Sequence, residues 1–132
     1  MIFGDKTTAI FDIWSVEHLF TGIILAWLIS KISHTPKSNL PVLLLISCFW
    51  ECLEHYLETG LWGITVQHWF AGVEYWGNRL IGDNLTVFFG YFIYKKYPKT
   101  IYFAFGISLI FFCSHLFFPS SMDIQKFLLN LF

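Results

Sequence analysis

Glu51, Glu54, His55 and Glu58 stand three and four residues apart, a spacing that puts them on one face of one helix. The eight residues before them, LLLISCFW at 43–50, carry no charge. Such a run belongs in a protein core or a bilayer. An ionised side chain near the bilayer centre costs about 2.5–3.5 kcal/mol on insertion scales. Three carboxylates and an imidazole on one apolar helix therefore demand protons, counter-charges or a metal ion. A carboxyl whose pKa is raised by burial can act as a general acid or base. A divalent ion held by carboxylate and imidazole can polarise water or hold an anionic group.

Other segments supply groups of the same kind. Asn78, Arg79, Asp83 and Asn84 open a later apolar run, and Arg79 is the single arginine of the chain. Arg79 and Asp83 are four apart and suited to pair along a helix, while the guanidinium also suits Glu51 or Glu54 across the bundle, or a phosphate head group. His18 heads a stripe with Gly22, Ala26 and Ser30, small residues that let helices approach closely in lipid. His115 lies on the face of Ala104 and Ser108. The expected catalytic groups are Glu51, Glu54, His55 and Asp83; Asn78, Arg79, Asn84 and Trp69 are expected to bind substrate. Metal ligation falls to some set of His18, Glu51, Glu54, His55, Glu58, Asp83 and His115. The pattern Glu-x-x-Glu-His occurs once and no HExxH is present, so the spacing departs from a di-metal carboxylate bundle, which repeats Glu-x-x-His on two helices. No opposed histidine pair points to haem, and a metal-free site with a glutamate base is equally admissible.

These groups need a scaffold, and composition indicates which. The chain is 56% hydrophobic, 21% aromatic and 13% charged over 132 residues, with mean hydropathy +0.61. A small soluble domain buries too little of its surface to hide so much apolar area. Lipid is the solvent that fits. A net charge of −1 excludes a basic footprint for nucleic acid. The reading is a single all-α integral membrane domain, 1–132, a four-helix transmembrane bundle with spans at about 13–33, 40–59, 78–97 and 100–118. The last run alone is unbroken over the roughly 20 residues that cross about 30 Å of hydrocarbon. The first run starts too late and lacks a cleavage motif for a signal peptide, so it is read as a retained helix.

Lys31, Lys37, Lys95, Lys96 and Lys99 fall at one side of such a bundle, against Lys6, Arg79 and Lys126 at the other. The positive-inside rule then puts both termini outside, in the plasma membrane of a bacterium. Every acidic residue lands at the middle or in the outer half, with His18, His55, His68 and His115; His34 falls in a cytoplasmic loop. Between spans two and three, Trp62, Trp69 and Trp76 recur every seven residues, which reads as an interfacial tryptophan-rich helix or a lid bringing His68 and Glu74 to the site. The segment 121–132 reads as an amphipathic tail. Cys48, Cys52 and Cys113 read as small packing residues in the membrane interior.

Asp12, His18 and Gly22, then Trp50-Glu51…Glu54, then Asn78-Arg79…Gly82-Asp83-Asn84…Gly90-Tyr91 together resemble the pattern of VanZ-like small membrane proteins, over roughly residues 12–95. That resemblance implies a helical bundle with an outer polar site and a link to glycopeptide resistance, without a defined reaction. His55 and the tryptophan-rich insert depart from it. The expected function is an outer-leaflet-facing pocket that binds or processes a lipid-linked or headgroup-like anionic substrate, by hydrolysis or group transfer with a divalent metal ion as the candidate cofactor. Membrane lipid is the expected partner. The alternatives are a non-enzymatic subunit of a larger membrane complex or homo-oligomer, and an element of a proton or cation pathway.

Overall fold

A computed structural model describes residues 1–33, 39–70, 72–117 and 125–127, with the side chain of His115 excepted. The described residues are helical, without a β-strand. α1 runs Ile13–Ile32, α2 Asn39–Glu58, α3 Ile64–Phe70, α4 Asn84–Lys96 and α5 Thr100–Phe117; a π-helical segment, Asn78–Asp83, leads directly into α4. Helix bounds match the four expected runs to within a residue or two at each end. Among the described residues two helices, α1 and α2, are long and apolar enough to cross a membrane. At about 1.5 Å per residue they reach the roughly 30 Å of hydrocarbon despite their acidic residues, so the last run is not alone in sufficing.

Burial is inverted relative to a soluble fold. Lys6, Asp12, Glu51, Glu58, Asn78 and Asp83 are buried, while Leu45, Phe49, Tyr102, Phe103, Ile110 and Phe112 are exposed. The buried apolar residues are small in number and line the axis of the bundle: Ala26, Ile29, Leu43, Val87 and Tyr91 form one cluster, and Ile23, Ile101 and Ala104 a second.

α1 is the hub, packed most extensively on α4 and then on α5, with α2 laid across both α1 and α4. Two glycines permit that closest contact. A Cβ on Gly22 would stand 2.4 Å from the Val87 carbonyl oxygen, and one on Gly90 2.3 Å from that of Leu19. The backbones of α1 and α4 thus touch where side chains are missing, as the small-residue stripe leads one to expect. Ser30, at the far end of that stripe, is exposed.

The first twelve residues fold back on themselves. Phe11 N–H donates to the Ile2 carbonyl at 2.8 Å and Gly4 N–H to that of Phe11 at 3.0 Å. Gln125 ties this turn down, accepting from Ile13 N–H at 3.2 Å and donating to the Gly4 carbonyl at 2.8 Å. Asp12 then starts α1 as its N-cap, accepting from the Trp14 and Ser15 amides, while Ser15 Oγ accepts from the Asp12 amide. This reciprocal box satisfies helix-end donors that would otherwise be orphaned.

The tryptophans do not share one helix. Gly60, Gly63 and Gly72 hold positive φ and confine α3 to seven residues. Trp62 lies before that helix, and Trp76 lies beyond it. The cysteines also differ from expectation, for all three are exposed. The inner face of α2 is taken by Leu43, Ser47, Glu51 and Glu58, so Cys48 and Cys52, one residue further round, turn outward. His34 and Lys37, and the tail but for 125–127, lie outside the described residues.

Candidate functional site

The acidic residues gather at one end of the bundle. Asp12 caps the start of α1, Glu51 to Glu58 close α2, and Asp83 ends the π segment. The lysines of the last turns, Lys31 on α1 and Lys95 and Lys96 on α4, mark the other end. The π segment matters to this assembly because its wider turn brings Asn78, Arg79, Gly82 and Asp83 all to the interior. Such segments are frequent at functional sites.

Glu58 is a finished ion pair. Its carboxylate is 0% exposed and accepts from Lys6 Nζ at 2.6 Å, from Arg79 Nη2 at 2.5 Å and from the Glu74 amide at 2.9 Å. With two cations and an amide on one carboxylate, the desolvation of this buried charge is offset by partners. Lys6 is a residue that the sequence offers no signal for, a lone lysine in a short polar leader.

Arg79 is fully engaged on its outer edge. Besides Glu58 it meets Glu74 Oε2 at 3.2 Å and His55 Nδ1 at 3.0 Å. The expected intrahelical pair with Asp83 is replaced, because the π turn changes the spacing that an α-helix would give. Asn78 donates to Glu74 Oε1 at 2.8 Å. Asn84 donates to the Arg79 carbonyl at 2.9 Å. Asn78, Arg79 and Asn84, expected as substrate contacts, are thus turned toward the protein itself, holding the acids and the π segment in place. Burial pushes the Glu74 carboxyl up to about 9, helped by the nearby Asp83 and Glu54 and opposed by Arg79. Burial likewise raises Asp12, against its two capping amides.

Glu51 and Asp83 are in a different state. Glu51 is 2% exposed and neither of its oxygens has a hydrogen-bond partner among the described residues. Oε1 faces His18 Nδ1 at 3.9 Å and Oε2 faces Arg79 Nε at 3.9 Å, both beyond hydrogen-bond reach. Asp83 accepts from Ser15 Oγ at 2.7 Å through Oδ1, whereas Oδ2 is unpartnered and stands 3.7 Å from His18 Nε2. His18 thus lies between two carboxylates, one on each ring nitrogen. Ligand atoms of His18, Glu51 and Glu54 all lie within 4.8 Å of one another, as do those of Glu51, Glu74 and Asp83.

This acidic wall stands between two hollows. The first, about 660 Å³, has α1 as its floor and α2 and α5 as its sides, with Trp62, Val66, Trp69 and Phe70 over one end. Its few polar groups include Glu17, His18, Glu54 and Glu74. Glu17, on α1, accepts from Thr21 Oγ1 at 2.7 Å and across the hollow from Ser108 Oγ of α5 at 3.2 Å. The second, also about 660 Å³, lies beside α2 and is lined by Glu51, His55, Glu74, Trp76 and Arg79. Both volumes are in the roughly 300–1,000 Å³ range of small-molecule sites.

Of the expected site residues, His18, Glu51, Glu54, Glu58 and Asp83 converge, and Glu74 joins them. His55 is exposed at the rim, with its Nδ1 on Arg79. Trp69 lines the first hollow, while His68 is exposed and borders neither. The His115 side chain lies outside the described residues. Sequence reasoning missed Asp12 and Ser15 as site residues; the capping-box spacing of Asp12-x-x-Ser15 is a signal for a helix start, and no signal marks them as neighbours of Asp83.

No protein-family model matches the chain, and searches of curated proteins and of solved structures return no match. Nothing in these comparisons bears on the VanZ-like resemblance.

Proposed function

We propose that the chain is a four-span membrane protein that admits a lipid-like molecule with an anionic head group into the α1–α2–α5 hollow and processes that head by hydrolysis or group transfer. The observation that carries this reading is the hollow itself: apolar and aromatic walls that end on Glu54, His18 and Glu74. An amphiphile fits such a surface end to end, with its chain along Leu25, Ile46 and Phe112 and its head at the acids. Inverted burial supports the bilayer as surroundings, because exposed apolar area on this scale is tolerated in lipid and not in water. The lysine distribution supports an orientation with both termini outside, and the membrane proposed is the plasma membrane of a bacterium. The VanZ-like resemblance agrees with this architecture and adds nothing to the chemistry.

An anionic head cannot approach these carboxylates unaided. Among the described residues Asp12, Glu51, Glu54, Glu58, Glu74 and Asp83 form ion pairs with no permanent cation but Lys6 and Arg79, and Glu58 engages both. The reading therefore requires a divalent ion at the acids. A proton or cation pathway is disfavoured, since Ala26, Ile29, Leu43, Val87 and Tyr91 plug the bundle axis.

The test is native mass spectrometry of detergent-purified protein with added phosphatidylglycerol or phosphatidylcholine. Wild type is expected to retain one anionic phospholipid per chain. Replacing Ile46 and Ser108, one on each wall, by tryptophan is expected to abolish retention while the protein stays folded. Equal retention by this variant would refute the hollow as the binding site.

A further inference from the structure

The two acidic triads share Glu51 but differ in what already neutralises them. In the triad Glu51, Glu74 and Asp83, the Arg79 guanidinium stands 3.2 Å from Glu74 and 3.9 Å from Glu51. That triad has its cation, and a second positive ion there would be repelled at close range. The triad His18, Glu51 and Glu54 shares that guanidinium only through Glu51 Oε2; among the described residues Glu51 Oε1 and Glu54 form no ion pair with a lysine or arginine. Glu51 divides itself accordingly, Oε2 toward Arg79 and Oε1 toward His18.

We propose that His18, Glu51 and Glu54 bind one divalent first-row metal ion, with Asp83 orienting His18 from its far side. Two ligand atoms, each about 2.1 Å from one ion, stand about 3–4 Å apart. The 3.9 Å between His18 Nδ1 and Glu51 Oε1 fits that separation, and the third ligand atom is within 4.8 Å of both. Independently of the cluster, Glu51 is a carboxylate buried to 2% exposure and aimed into it through Oε1, which has no hydrogen-bond partner among the described residues. Buried charge in that condition is stabilised by coordination or lost to a proton.

The surroundings of His18 are those of a metal ligand. A ligating imidazole almost always donates its other N–H to a carboxylate or carbonyl, which sets the tautomer and the ring plane. Asp83 Oδ2 stands at that nitrogen, unpartnered, at 3.7 Å, and a small rotation of the ring closes the gap. Asp83 is itself held by Ser15 at 2.7 Å, and Ser15 belongs to the cap that fixes the start of α1. One nitrogen and two carboxylates suit Zn²⁺ or Mn²⁺ rather than a soft, thiolate-seeking ion. His18 and Glu54 both line the first hollow, so the open coordination positions face it. In its use the ion rests on the reading of that hollow given above; its binding does not, and lipid-free protein separates the two.

The experiment is calorimetric titration of EDTA-stripped, tag-free full-length protein in detergent with Zn²⁺, and separately with Mn²⁺, with metal content per chain measured after dialysis. One ion per chain is expected. Glu51→Gln and Glu54→Gln are expected to weaken binding by about 100-fold or more, and Asp83→Asn by about 10- to 100-fold. Glu54 is half-buried, so Glu54→Gln reports on binding even if Glu51→Gln fails to fold. Absence of both ions from the wild type, or wild-type binding by a folded Glu54→Gln, would overturn the proposal. Lipid retention lost with metal binding intact would remove the hollow reading and leave the metal site standing.

Discussion

Glu51 and Glu58 lie on the same face of α2 and meet opposite electrostatic fates. Glu58 reaches Lys6, Arg79 and an amide, while Glu51, two turns earlier, faces His18 and Arg79 at distances too long to bond. The difference is the element opposite each: the folded N-terminal segment delivers Lys6 to one, and the second turn of α1 delivers only an imidazole to the other. Glu74 stands between these cases, bonded to Asn78 and Arg79 yet surrounded by Asp83, Glu54 and Glu58. Its carboxyl is raised from 4.5 to about 9, so the folded chain keeps a proton that the unfolded chain has released. Stability from this group is complete below about 4.5 and is lost as pH rises toward about 9. In EDTA-containing detergent the melting temperature should fall between pH 5 and 9, and Glu74→Gln should flatten that fall. An unchanged slope in Glu74→Gln would show that other carboxyls set it.

At the scale of elements, the contact between α1 and α4 is the joint on which the site depends. α1 carries His18 and Ser15, and the π segment leading into α4 carries Arg79 and Asp83. Gly22 and Gly90 set their separation through backbone contacts of 2.4 and 2.3 Å from a would-be Cβ. Gly90→Leu should part the helices, lowering the melting temperature steeply and with it the retention of any ion that needs both. Gly106 on α5 meets nothing within 4 Å. Gly106→Ala should therefore be neutral or add up to about 1 kcal/mol through helix propensity. Equal effects of the two substitutions would refute the packing account. The small-residue stripe was legible because its spacing is local. The π segment was not, since a single added residue per turn leaves no mark on an apolar run, and it is this segment that detaches Arg79 from Asp83.

For the whole molecule, one end of the bundle is acidic and the other basic, and an apolar girdle lies between. The orientation that follows is open to direct labelling. With Cys48, Cys52 and Cys113 replaced by alanine, Thr8→Cys should react with an impermeant maleimide from outside intact cells, and Lys96→Cys only after lysis. The reverse pattern would invert the topology while leaving the fold untouched. Neither outcome alters the two helices that, among the described residues, are long and apolar enough to span.

What the residues alone determined was local. Helical periodicity located α1, α2, α4 and α5, and the clash of carboxylates with an apolar run marked Glu51 to Glu58 as needing partners. Which partners they find is a matter of groups distant in the chain. Lys6 to Glu58 and Ser15 to Asp83 join residues 52 and 68 positions apart, and no periodic signal encodes such pairs. Tertiary structure alone distinguished a carboxylate already neutralised from one that is not, because that distinction depends on distances across the bundle and on the low polarizability of what surrounds them.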